Sequence, residues 1–201
     1  MMATGIILAG GESKRMPGDK AFMEVAGRRV IDIQLEVIDG LFEEVLIVGN
    51  AERLEQLSVF ARSGVWVVEE PVKGKGPLGG ILSGLQLSGS DENFILACDM
   101  PFIKREAVTF VIDGLAGYQV SVPRTPAGLE PLHAAYRREC MDAVARQLDS
   151  GSLKVTDFYG EVSVHYIQWE ELRRFDPAGR LLYNINSPED METAAGFRQW
   201  G

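Results

Sequence analysis

The sequence predicts an α/β fold with a mostly parallel sheet covered by helices on both faces. Four apolar runs of strand length, GIILA (5–9), EVLIVG (44–49), VWVV (65–68) and NFILAC (93–98), lack the polar alternation of a half-exposed strand. Such runs suit strands buried on both faces. Between them, Ile31, Leu35, Ile38 and Phe42, widened by Val30, Ile33, Val37 and Leu41, recur at helical spacing, and Leu78, Ile81, Leu82 and Leu85 repeat the pattern. These stripes read as core packing. Strand and helix in alternation give right-handed βαβ units and a parallel sheet.

Ligands in such sheets bind beyond the carboxyl ends of the strands, so the residue after each run matters most. These are Ala9-Gly10-Gly11, Gly49-Asn50, Glu69-Glu70 and Asp99, each able to hydrogen-bond or carry charge. The second half is less regular. YQVSV (118–122), LHAAY (132–136) and VSVHYI (162–167) read as strands and Cys140 to Leu148 as a helix. NINSPED (184–190) reads as a loop entering a last helix, with Ser187 as N-cap, Pro188 at the first position and two acids in the first turn.

At 201 residues the chain is expected to form one domain, and a chain of this length buries about 70% of its unfolded surface. Its two cysteines, Cys98 and Cys140, sit in no metal-ligand spacing and fit a reducing cytosol. No apolar run approaches membrane-spanning length, and no basic, apolar leader opens the chain. A soluble, cytoplasmic protein is expected. The net charge of −9 argues against a role resting on long nucleic acids. A small anion needs only local cations, and Lys14, Arg15 and Lys20 lie together in GIILAGGESKRMPGDKA (5–21). There, bare glycine backbone and positive side chains share one loop, a pairing that suits phosphate, although the spacing is neither Walker nor dinucleotide.

Asp99, just past a buried strand and before Pro101, has two readings: a magnesium-binding acid working with substrate phosphates, or a turn residue. EEPVKGKGPLGGILSGL (69–85) likewise reads as a ligand loop leading into a helix N-terminus, or as a flexible surface loop. Its two acids suit sugar hydroxyls or base amino groups better than phosphate. His165 alternates with Val162 and Val164 and reads as structural, whereas His133 is placed to reach a substrate. Met16, Met23 and Met100 read as packing, and no nucleophile motif supports covalent catalysis.

LAGGESKRMPGDKAF (8–22), KGKGPLGGI (73–81), LACDMPF (96–102), EPLHAAY (130–136) and NINSPED (184–190), in this order and spacing, strongly resemble the molybdenum cofactor guanylyltransferases over nearly the whole chain. The resemblance implies a three-layer, Rossmann-like nucleotidyltransferase sandwich with a mostly parallel, mixed sheet. It also implies transfer of GMP from GTP to molybdenum-bearing molybdopterin, with Mg²⁺ and release of pyrophosphate, and transient contact with other proteins of cofactor synthesis or delivery. Carried over, Leu8, Ala9, Gly10 and Gly11 hold the nucleotide through backbone, Arg15 and Lys20 meet the phosphates, Asn50, Glu70 and Gly76 complete the nucleotide site, and Asp99 binds metal and GTP. Lys20, Arg15 and Asp99 are then the catalytic set. Residues 1–105 make the nucleotide-binding part and 106–201 the acceptor-binding part, with His133, Asn184 and Asn186 expected near the acceptor because they fall in motifs the nucleotide does not need. Pro17 replaces a usual glycine, and Glu70 stands where the family commonly has Asp. The rivals are a cytidylyl- or sugar-phosphate nucleotidyltransferase of the same fold and a non-catalytic guanine-nucleotide-binding regulator, the latter without a Walker lysine or switch loop to support it.

Overall fold

The computed structural model describes residues 2–10, 20–72 and 74–197. In chain order the strands are β1 (Ala3–Leu8), β2 (Glu24–Val25), β3 (Arg28–Arg29), β4 (Glu44–Gly49), β5 (Val65–Glu69), β6 (Glu92–Ala97), β7 (Val120–Thr125), β8 (Gly128–Leu129), β9 (His133–Arg137) and β10 (Val164–Gln168). The α-helices are α1 (Val30–Val37), α2 (Leu54–Leu57), α3 (Gly76–Leu87), α4 (Arg105–Asp113), α5 (Met141–Asp149), α6 (Trp169–Arg173) and α7 (Pro188–Gly196).

The central sheet runs β10-β7-β9-β6-β1-β4-β5, with β8 paired to β7. Pairs β1–β4, β1–β6, β4–β5 and β7–β10 are parallel, and β9 runs against both β6 and β7. The sheet is mixed and mostly parallel. Alternate residues of each inner strand enter opposite cores, as the two-residue side-chain period requires. Ile7, Ile47, Phe94 and Leu96 pack with α1 and α4, while Ile6, Leu46, Val48 and Ile95 pack with α3 and α5. Both faces are therefore covered, which explains the unbroken apolar runs.

Two glycines of α3 set how closely that helix lies on the sheet. A Cβ at Gly84 would stand 2.6 Å from Ile6, and one at Gly80 would stand 3.2 Å from Leu8. A third, smaller core joins Met23, Val25, Val30 and Phe102 to Ile185 and Ala194, tying α7 and the loop before it to the first half of the chain.

The first helical stripe ends earlier than its periodicity predicts. The stripe from Ile31 to Phe42 forms a helix only as far as Val37, with Ile38 at its C-cap; Gly40 follows at φ +66°, and Leu41 and Phe42 reach the core from the turn. The less regular second half supplies β9, whose antiparallel pairing to β6 and β7 makes the sheet mixed, as the family resemblance implies.

Candidate active site

The carboxyl ends of β1, β4, β5 and β6 open on one cavity of about 620 Å³. Leu8 and Gly10 reach it from β1, Asn50 from β4, Glu70 from β5, and Cys98 and Asp99 from β6. Gly76 and Pro77 bring the first turn of α3 to its wall. Among the described residues no side chain caps that helix, so the positive end of its dipole stands uncompensated at the cavity wall. The approach needs left-handed backbone at Gly74 (φ +70°) and Gly76 (φ +59°), which glycine adopts without strain.

Lys20, at the start of a single 3₁₀ turn, lies at the centre of the polar groups. Its ammonium donates to Asp99 Oδ2 at 2.8 Å and to Asn186 Oδ1 at 2.7 Å. Asn186 and Asn184 stand on the loop before α7. Ser187 caps that helix through Asp190 N at 3.1 Å, and the Asp190 carboxylate in turn accepts from Asn186 N at 2.9 Å. The Asn186 amide, more than any other cause, holds the Asp190 carboxyl below its ordinary pKa. The loop is tied to β6 as well, since Ile185 N donates to Asp99 O at 3.0 Å.

Glu70 is buried, with 7% of its surface exposed, and burial raises its pKa above the ordinary carboxylate value. Its oxygens fill space that two glycines leave open: a Cβ at Gly10 would lie 2.9 Å from Oε2 and one at Gly79 would lie 3.1 Å from Oε1. Asn50 Oδ1 lies 3.0 Å from the same Gly10 position, so an amide and a carboxylate converge at the tip of β1.

Residues 5–162 match the family of the MobA-like NTP transferase domain. A relative from Pelotomaculum thermopropionicum, named a probable molybdenum cofactor guanylyltransferase, is 37% identical over 194 residues, 96% of this chain and 92% of the relative. The chain belongs to the molybdenum cofactor guanylyltransferase family. A molybdenum cofactor guanylyltransferase from Desulfosudis oleivorans is 35% identical, with 95% of this chain and 93% of the relative covered. Among solved structures, the molybdopterin-guanine dinucleotide biosynthesis protein A of Archaeoglobus fulgidus superposes with a TM-score of 0.82 at 26% identity, covering 96% of both chains. A 2-C-methyl-D-erythritol 4-phosphate cytidylyltransferase from Thermus thermophilus, 17% identical, shares the fold at a TM-score of 0.69 over 97% of this chain and 98% of its own.

The chain is thus a nucleotidyltransferase, of a family that works with a divalent metal. The residues present fit such an ion. Asp99 Oδ2 is engaged by Lys20, but its Oδ1 is buried and has no hydrogen-bond partner among the described residues. Among the described residues no group of three or more His, Cys, Asp or Glu side chains forms a self-sufficient metal cage. A hard cation held by one carboxylate and substrate phosphates matches that donor set.

Of the residues singled out from sequence, Leu8, Gly10, Lys20, Asn50, Glu70, Gly76, Asp99, Asn184 and Asn186 line the cavity. Gly11 and Arg15, with Lys14 and Pro17, lie outside the described residues. Ala9 is near the site but spends its amide on Val48 O at 2.8 Å, so that amide is not available to a base. His133 is corrected outright. It is fully buried, edge-on to Phe94 with ring centroids 5.0 Å apart, and among the described residues neither ring nitrogen has a hydrogen-bond partner. The cause is the pleat. His133 pairs with Leu96 and shares its face, which looks into the core under α1 and α4, and burial lowers its pKa to about 3.

Its neighbours matter more. Leu132 lines the cavity and accepts from Ala97 N at 3.0 Å. Glu130 was not singled out, yet burial and the charge of Asp99 raise its pKa to about 6. Its signal in the sequence was a carboxylate two residues from a cavity-lining position in EPLHAAY.

Proposed function

We propose that the protein transfers GMP from GTP to the phosphate of molybdenum-bearing molybdopterin and releases pyrophosphate. The acceptor phosphate oxygen forms a bond to the α-phosphorus as the bond from that phosphorus to the β-bridging oxygen breaks, and pyrophosphate leaves with the electron pair. The observation that carries the reading is the bridge of Lys20 between Asp99 and Asn186, at the edge of a cavity that also presents Asn50 and Glu70.

Lys20 supplies a positive charge where negative charge grows on the phosphates, and the start of α3 adds the positive end of its dipole on the same wall. We infer Mg²⁺ as the metal, held by Asp99 with the phosphates; when bound it neutralises phosphate charge as a Lewis acid. Asp99 is kept in place for it by Lys20 on one oxygen and by the Ile185 amide on its carbonyl. A phosphate monoester is already ionised near neutral pH, so the acceptor needs no strong base, in keeping with a histidine buried away from the cavity. Guanine presents donors at N1 and N2 and an acceptor at O6; Glu70 accepts from the former and Asn50 donates to the latter.

The division near residue 105 is retained in modified form: the first part holds nucleotide and metal, while Asn184 orients the acceptor and Asn186 serves the phosphates through Lys20. The reaction belongs in the cytoplasm, where free thiols such as Cys98 and Cys140 stay reduced, and brings the protein into transient contact with those that make or receive the cofactor. The deciding experiment measures pyrophosphate release with GTP, CTP, ATP and UTP in turn, with and without molybdopterin. Release that needs both GTP and molybdopterin is expected; equal use of CTP would overturn the base assignment, and tight GTP binding with no transfer to any acceptor would favour a regulator.

A further inference from the structure

Gln34 interrupts an otherwise apolar surface. It lies on α1 with Val30, Ile31, Ile33 and Leu35, all buried, and is itself fully buried. A buried amide is costly unless its bonds are made, and here the Oε1 has no partner. An apolar side chain of the same length would meet the needs of the stripe without that penalty. What Gln34 does is local: its Nε2 donates to Ala97 O at 2.8 Å and to Met100 O at 3.0 Å.

Those carbonyls bracket Cys98 and Asp99. The side-chain amide of Gln34 therefore joins the two ends of the turn that follows β6 and fixes that turn from the side of α1. From the opposite direction Ile185 N holds Asp99 O. The Asp99 backbone is thereby clamped between α1 and the loop before α7, and its side chain has one oxygen on Lys20 and one buried without a partner among the described residues.

We propose that Gln34 is the positioning residue for Asp99, its buried amide setting the turn that aims the carboxylate at the metal and the phosphates. The inference rests on the reading of Asp99 as the metal-binding acid. Residues behind a metal ligand commonly change metal affinity by 10- to 100-fold when removed. Gln34→Met keeps the length of the side chain and deletes both donors.

The test is the affinity of the full chain for a GTP analogue with a methylene between the α- and β-phosphorus, measured by titration calorimetry with and without Mn²⁺. The ratio of the two affinities isolates the metal's contribution. For Gln34→Met we expect that ratio to fall by about tenfold or more, toward the value for Asp99→Asn, while metal-free affinity stays within about twofold of wild type. Val144→Ala, a core change in α5 outside the cavity lining, serves as a variant that loses thermal stability for reasons of packing alone; its ratio is expected to match wild type. The proposal fails if Gln34→Met keeps the wild-type ratio while Asp99→Asn loses it, or if Val144→Ala loses as much at equal stability. If Asp99→Asn itself keeps the wild-type ratio, the metal reading falls and this inference falls with it.

Discussion

The strands β1, β4, β5 and β6 run parallel and deliver Gly10, Asn50, Glu70 and Asp99 from one or two residues past their carboxyl ends, whereas β9 runs against them and meets the same edge with its first residue. The second half therefore approaches the cavity by other means: Leu132 from the loop before β9, and Asn184 and Asn186 from the loop before α7. In the first half, position along a strand is enough to place a side chain at the site. In the second half it is not, and His133 shows why. It stands at the correct end of its strand but on the wrong face of the pleat.

If the first half holds nucleotide and metal while the second orients the acceptor and braces Lys20, substitutions should separate accordingly. The largest loss is expected for Asp99→Asn, on the order of 10³-fold in turnover with folding unchanged, since a metal's stabilisation of phosphate charge is worth several kcal/mol. Near-normal turnover at saturating Mg²⁺ would remove Asp99 from the metal site. Lys20→Ala is expected to lower kcat by roughly 10²-fold and GTP affinity by less, because its charge counts most as the transition state develops. A change confined to KM would reduce the lysine to a binding residue.

Asn186→Ala sharpens the contrast because it belongs to the second half by sequence and to Lys20 by contact. We expect a loss of about tenfold alone and little further loss in combination with Lys20→Ala, as for residues acting in one network. Additive effects in that cycle would assign Asn186 to the acceptor instead. Glu70 provides a test by pH. Its pKa is raised by burial, so its accepting, ionised form is lost on acidification before that of an ordinary carboxylate. The preference for GTP over CTP should therefore shrink in mild acid, and in Glu70→Gln it should be low and insensitive to pH. A wild-type preference that is flat from neutral into mild acid would separate Glu70 from base selection.

The smallest effect on turnover is expected for His133→Leu, within about twofold. Its effect on stability runs through protonation. The native histidine titrates near 3 and the unfolded one near its ordinary value of 6.5, so the unfolded state binds more protons between them. Stability falls as pH drops through that window, by up to about 1.4 kcal/mol per unit from this group. His133→Leu should lose less stability between pH 7 and pH 5 in urea titrations. A loss of GMP transfer in this variant at pH 7 would return the residue to the acceptor site.

Much of the first half was legible because strands buried on both faces announce themselves as unbroken apolar runs, and parallel order fixes which end faces the ligand. The motif resemblance located Lys20, Asp99, Asn184 and Asn186 before any geometry. What escaped was set by register and local bonding. The early end of α1 depends on left-handed backbone at Gly40, the lost amide of Ala9 on its pairing to Val48, and the burial of His133 on its partner Leu96. Gln34 was visible as a polar letter in an apolar stripe, but nothing in the sequence says which carbonyls it serves.

The contact between Lys20 and Asn186 joins residues 166 apart, and that between Lys20 and Asp99 joins residues 79 apart. Closing the longer loop costs only about 0.6 kcal/mol more than closing the shorter, because loop entropy grows with the logarithm of length. The penalty falls instead on time, since distant pairings form slowly. In order of synthesis Asp99 follows Lys20 long before Asn186 does. The bridge through Lys20 therefore depends on the slower of its two pairings, the one to Asn186.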